Sequence, residues 1–327
     1  GKYLILPPGS EPVTADGYYV VQSPSNQVWF GTRGLDPDKA VAEATVRKHR
    51  IYSWNQRDNA PETKYLEVAG KDWQSAQPNT LEYWRLLAEL YANEPVAPRD
   101  RMMFGMLKAL GISPGQEFKP DARQARILTE AAKTGDLMAR TIAYEKRFEG
   151  ATVYPGKQWE YAVKFDLNQE DPEQTRVQFD ERASWFYEAI GMSAGMQGRI
   201  VGFGQVYLET SKDKDGNWLD GGKTYKMRVE PNPPVRQFWS ITLYDNLTRG
   251  PLITDQGAAD LSSRKPDLVT NADGSVDVYF GPERPAGATN WIKTTAGKGW
   301  FPYFRFYAAT EPYFEKSWQL NDIERVN

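Results

Sequence analysis

Residues 300–307 read WFPYFRFY, a nearly unbroken run of rings with one cation inside it. Successive side chains of a β-strand point to opposite faces. Alternation therefore sets Trp300, Pro302, Phe304 and Phe306 on one face, and Phe301, Tyr303, Arg305 and Tyr307 on the other. Aromatic side chains bury large areas and suit sheet packing or an aromatic-lined pocket. Within such a strand the Arg305 guanidinium must find a partner or face a cavity, because an unpaired buried charge is prohibitive.

Working outward, strand-like runs of the same kind recur at 224–229 (TYKMRV), 237–244 (QFWSITLY) and 275–280 (SVDVYF). Turn chemistry separates them: DKDGN at 213–217, DGG at 220–222, NADG at 271–274 and Gly-Pro at 281–282. Short strands punctuated in this way predict a β-sandwich or jelly roll. On the 237–245 strand, Phe238, Ser240, Thr242 and Tyr244 share one face, and Trp239, Ile241, Leu243 and Asp245 the other. Two arrangements follow for Arg305. It closes a structural salt bridge with Asp245, or it faces a pocket with Tyr303, Tyr244 and Trp291 and grips a carboxylate, phosphate or sugar hydroxyl.

Upstream the pattern changes twice. Residues 2–7, 17–23 and 27–32 read as strands, and Asp36 or Asp38 caps a helix over 38–49. Over 78–149 the apolar period is helical. Asn79 with Glu82 forms a capping-box-like start, and Trp84, Leu87, Ala88 and Tyr91 follow at i, i+3, i+4 and i+7. A second helix runs from Asp100 to Gly111, and a third opens at Asp121 and is interrupted at Gly135. A further amphipathic stretch over 182–190 groups Ala183, Phe186, Tyr187 and Ile190.

Composition excludes more than it assigns. With 40 basic and 43 acidic residues the 327-residue chain carries a formal net charge of −3. It shows no Lys/Arg block, so nucleic acid is not an expected partner. No run approaches the roughly 18 apolar residues of a membrane span. The chain has no cysteine, which removes disulfides, thiol catalysis and thiolate metal sites. With a single histidine, His49, a zinc centre is not expected, nor any other metal or cofactor. Gly191-Met192-Ser193-Ala194-Gly195 matches G-x-S-x-G, but a helix precedes it and the histidine lies far upstream. A glycine-rich helix stop is the better reading than a nucleophile elbow. Asp213, Asp215, Asn217 and Asp220 gather oxygen ligands without calcium-loop spacing, since Gly216 and Thr224 fall at the wrong positions. Glu188, Asp180 and Glu283 are candidate members of a carboxylate pair for glycoside hydrolysis, whose separation only a three-dimensional structure gives, and a solvated charge is the better reading of each. The chain opens at Gly1, without Met, directly on a strand, which reads as a processed or truncated product that has lost any signal peptide.

The segments FWSITLYD (238–245), NADGSVDVYFGPERPAG (271–287), NWIKTTAGKGWFPYFRFYAATEPYFEKSW (290–318) and the closing IERV resemble a bacterial family, the domain of unknown function 1214. GKYLILPPG (1–9), GYYVVQSPSNQVWF with GTRGL (17–35) and the helical 78–149 stretch resemble the later part of its usual partner, the domain of unknown function 1254. The resemblance implies a β-rich α+β protein of jelly-roll-like antiparallel β-sandwich domains with a helical segment between them, divided at 1–77, 78–150 and 151–327. It also implies an exported protein lacking an N-terminal segment, and brings no established activity. The leading functional expectation is a ligand-binding or structural β-sandwich, with a small molecule or carbohydrate as ligand and a possible homo-oligomer. A hydrolase of small esters or carbohydrates using carboxylate, Tyr and Arg groups, and a shell-forming assembly protein, are the other readings.

Overall fold

The WFPYFRFY strand is the central strand of a five-stranded sheet in the computed structural model of the chain. The structure describes residues 1–326 apart from 33, 35, 37, 69, 72–75, 174, 190–195 and 197–199. The chain divides into two units, residues 1–73 with 80–129 and residues 74–79 with 130–327.

The first unit opens with β1 (Tyr3–Leu6) and β2 (Tyr19–Gln22), which pair in parallel. Residues 27–32 form no strand: no partner strand lies beside them among the described residues, and Val28, Trp29 and Phe30 stay exposed. Helix α1 (Lys39–Val46) is capped by Asp38, whose carboxylate accepts the amides of Ala40 and Val41. Helix α2 (Leu81–Asn93) starts one residue later than Asn79 implied, because Thr80 Oγ1 accepts the Glu82 amide. Its half-buried face is Trp84, Leu87, Ala88 and Tyr91, as the period requires. Helix α3 (Arg101–Leu107) tightens into a 3₁₀ turn and stops at Gly111, whose φ of 76° is the left-handed cap that glycine takes without strain. Helix α4 (Ala122–Tyr144) runs straight through Gly135. One interior glycine costs about 1 kcal/mol relative to alanine, too little to break a 23-residue helix. Among the described residues no helix is long and apolar enough to cross a membrane.

The second unit is the sandwich. Its elements are β3 (Glu160–Tyr161), α5 (Phe179–Glu188), β4 (Gln205–Glu209), β5 (Tyr225–Val229), β6 (Val235–Asp245), β7 (Asp260–Ser262), β8 (Val276–Gly281), β9 (Asn290–Lys293), β10 (Trp300–Ala309), α6 (Glu311–Phe314) and β11 (Glu324–Arg325). One sheet runs β3-β4-β10-β6-β7, antiparallel throughout. The other runs β11-β5-β8-β9, with β8 and β9 parallel. Leu208, Ile241 and Phe304 of the first sheet and Met227, Val278 and Ile292 of the second are buried in one shared core. The protein is therefore a β-rich α+β sandwich.

The far face of the five-stranded sheet has its own cover. Tyr144 at the end of α4 and Trp185 and Tyr187 of α5 pack on Phe301 and Tyr303. Helix α5 buries Glu181, Ser184, Trp185 and Glu188, at i, i+3, i+4 and i+7, while Phe186 is exposed. The apolar grouping of Ala183 with Phe186 is thus not the buried face. The helix turns a partly polar stripe inward, because the sheet offers it polar partners.

Candidate functional site

Those partners come from register. Glu160 of β3 lies opposite Glu209 of β4, Glu209 opposite Tyr303 of β10, and Tyr303 opposite Thr242 of β6. Two positions along, Tyr207, Arg305 and Ser240 form the adjoining row on the same face. Two polar groupings result, one on each side of Tyr303.

The first is centred on Lys146, two residues beyond α4. Its side chain is fully buried and its Nζ lies 2.9 Å from Glu188 Oε1, 3.8 Å from Glu160 Oε2 and in contact with Glu209 Oε1. It also donates to the Ala143 carbonyl at 2.8 Å. Glu188 accepts further hydrogen bonds from Ser184 Oγ at 3.1 Å and Tyr303 OH at 2.8 Å. Glu209 Oε2 is buried without a hydrogen-bond partner. Burial raises the Glu188 pKa despite Lys146 beside it. Burial, with the Glu188 charge adding to it and Lys146 opposing, pushes Glu160 up to about 7. The Tyr303 hydroxyl is raised well above its ordinary value, first by burial and then by Glu188. Glu160, at about 7, is placed to hold and exchange a proton near neutral pH, a property that gathers at functional sites. The reading of Glu188 as a solvated charge is corrected: its side chain has no exposure at all.

The second grouping surrounds Arg305. Its guanidinium donates to Thr242 Oγ1 at 2.9 Å and to Tyr244 OH at 2.6 Å. The rings of Tyr207, Tyr303 and Tyr244 lie 5.1, 5.2 and 5.7 Å from it. Among the described residues no carboxylate pairs with it. On the same face, next to Tyr307, the Gln205 Oε1 atom is buried and unpartnered.

Of the five residues expected together, three meet: Arg305, Tyr244 and Tyr303. Asp245 does not join them, and the Arg305–Asp245 salt bridge does not form. Asp245 sits on the opposite face, five positions along the register, where it accepts Lys298 Nζ at 2.8 Å and the amides of Leu247 and Thr248. Burial would raise its pKa, but Lys298 and those amides outweigh this and hold the carboxyl below the usual range. Trp291 is on β9 of the other sheet. Since Ile292 points into the shared core, Trp291 faces away from it, and its Nε1 donates to the Gly281 carbonyl.

The remaining sequence candidates fall elsewhere. Asp213 Oδ1 accepts the amides of Asp215 and Asn217, so its carboxylate closes its own turn. His49 is exposed and bonds the Val46 carbonyl through Nδ1 at 2.7 Å. The G-x-S-x-G stretch, 191–195, lies outside the described residues. Among the described residues no group of three or more His, Asp or Glu is arranged to hold a metal ion. Where three glutamates do converge, an ammonium stands between them.

Residues 204–311 match a family model. Its description is "Protein of unknown function (DUF1214)", and the matched region carries β4 to β10 with Arg305, Tyr303, Tyr244 and Glu209. Lys146, Glu160 and Glu188 lie upstream of it. The chain is similar in structure to the VPA0106 protein from Vibrio parahaemolyticus at 16% identity and a TM-score of 0.54, over 99% of this chain and 75% of that one. That likeness is one of fold. A putative uncharacterized protein from Burkholderia cenocepacia also aligns at 16% identity, over 46% of this chain and 40% of its own, with a TM-score of 0.31. No curated protein matches the chain.

Proposed function

We propose that this is a small-molecule-binding protein, and that its ligand is a small carboxylate with a flat apolar body, held by Arg305 on the helix-facing side of the five-stranded sheet. The observation that carries this reading is the guanidinium itself. It is oriented by two neutral hydroxyls, Thr242 and Tyr244, with no carboxylate partner among the described residues. A planar fork with unused donors matches a carboxylate bidentately, and the surrounding tyrosine rings offer faces to an apolar ligand body. The buried acceptor of Gln205 adds a place for a ligand hydroxyl or amine. Tyr244 and Tyr303 keep their expected roles in lining the site; Asp245 and Trp291 have none.

The same reading keeps the protein outside the cytoplasm, in line with its lack of cysteine and with the family resemblance drawn from its sequence. The resemblance of residues 1–149 to the domain of unknown function 1254 belongs to this reading too. Calorimetric titration with benzoate and 4-hydroxybenzoate, with phosphate and sulfate in parallel, tests the ligand class. Benzoate is expected to bind, 4-hydroxybenzoate more tightly, and Arg305→Gln to weaken both by at least about tenfold. Equal affinity of wild type and Arg305→Gln would end the proposal, and preference for phosphate would replace the ligand class.

A further inference from the structure

The Lys146 cluster plays no part in holding that ligand, yet it shares Tyr303 with the Arg305 site. Three glutamates converge on one ammonium in a buried setting. One lysine cannot balance three ionised carboxylates, and an ionised oxygen without partners, as at Glu209 Oε2, is costly in a dry interior. The cluster is built to hold a proton as well as the lysine.

We infer that the Lys146 cluster is a proton-binding site coupled to the Arg305 site, so that an anion binds Arg305 more tightly when the cluster is protonated. This rests on the reading of Arg305 as the ligand's anchor. The connection is physical: the Tyr303 hydroxyl bonds Glu188 at 2.8 Å while its ring lies 5.2 Å from the guanidinium. A charge added at Glu188 therefore acts on a ligand at Arg305 across roughly the length of one tyrosine, and one at Glu209 or Glu160 acts from one or two strands away, through protein rather than bulk water. Glu160, with 22% of its side chain exposed, connects the cluster to solvent.

The charged and titratable groups facing the cluster come from every element around it. Among the described residues they are Tyr144, Glu145 and Lys146 at the end of α4, Glu160 on β3, Glu188 on α5, Glu209 on β4, Lys212 beyond it, and Tyr303 on β10. Glu145 and Lys212 neutralise one another at 2.5 Å. Arg249 lies over the Tyr187 ring at 4.1 Å, and its charge and that of Arg140 act on Tyr144. Among the described residues the excess negative charge thus stays with the three glutamates. Glu160 is pushed up to about 7 by burial, which sets the window. Below it the cluster carries its proton. Above it the proton leaves, one negative charge is added, and an anion at Arg305 is repelled. By reciprocity, anion binding in this window takes up protons.

Benzoate titrations of the full chain at about pH 6 and about pH 8, each in two buffers of different ionisation heat, test the coupling. Affinity is expected to fall about fivefold between the two, with proton uptake on binding near neutrality. Glu160→Gln is expected to abolish the pH dependence and hold affinity at its low-pH level. Glu209→Gln serves if that variant does not fold. Binding that is equal at both pH values, without proton exchange, overturns the coupling and leaves the Arg305 site standing. Unchanged pH dependence in both folded variants overturns the assignment to this cluster. No benzoate binding at either pH overturns the coupling and the Arg305 reading together.

Discussion

The two faces of β10 are the instructive contrast in this molecule. Toward the shared core it presents Trp300, Phe304 and Phe306, each no more than 1% exposed. Toward α5 it presents Phe301, Tyr303, Arg305 and Tyr307, beside glutamates from β3 and β4. Both faces are well covered, so burial alone does not separate them. The core face satisfies itself with hydrocarbon, and Trp239 stacks on Phe304 with centroids 5.3 Å apart. The helix-facing side needs specific polar partners, and among the described residues it gives Arg305 no carboxylate and Glu209 Oε2 no hydrogen bond. Where a packed surface leaves polar demands open, ligands and protons have something to answer.

Substitutions on the two faces sharpen this contrast. Phe304→Ala is expected to have the largest effect, a loss of about 4 kcal/mol in chemical denaturation, because a fully buried ring leaves a cavity between two sheets. A smaller loss on this face than at Tyr303 would reverse the assignment of the core.

The next effect is one of pH. The Glu160 pKa is raised in the folded chain from its ordinary carboxylate value to about 7. Its stabilising contribution is therefore fully present below the unfolded value and is lost as pH rises through the folded value. Wild type is expected to lose on the order of 2 kcal/mol relative to Glu160→Gln between about pH 4.5 and pH 7.5. Denaturation curves of the pair collected across that range check it; parallel curves would place the proton elsewhere. Tyr303→Phe, which removes only the hydroxyl on Glu188, should cost about 1–2 kcal/mol. Nearly all of it should be recovered in the double variant with Glu188→Gln.

Much of the sandwich was legible in the sequence. Alternation on 237–245 and 300–307 assigned Trp239, Ile241, Phe304 and Phe306 to one face and Tyr244, Tyr303 and Arg305 to the other, and the register agrees. The isolated charge among rings marked Arg305 as the residue to explain. What stayed hidden was the Lys146 cluster. Its members lie at 146, 160, 188 and 209, and each looks like an ordinary surface charge in its own window. Helix α5 misled for the same reason: Glu181, Ser184 and Glu188 fit a solvent stripe until a sheet supplies partners for them. Strand β3, of two residues, is too short for periodicity to register. Asp245 was drawn toward Arg305 as the available carboxylate on a neighbouring strand. Yet alternation already set it on the other face, where Lys298, from the turn before β10, reaches it.

The transverse row Glu160, Glu209, Tyr303 and Thr242 bears on how this chain reaches its fold. Its members come from four strands separated by long stretches of sequence, so their mutual satisfaction waits until all four strands are aligned, a late and non-local event. A slip of β10 by one residue would turn Phe304 toward the glutamates and thrust Tyr303 into hydrocarbon. The charges thereby act as an alignment gauge, penalising any slip that turns the strand over, a discrimination that a uniformly greasy sheet lacks.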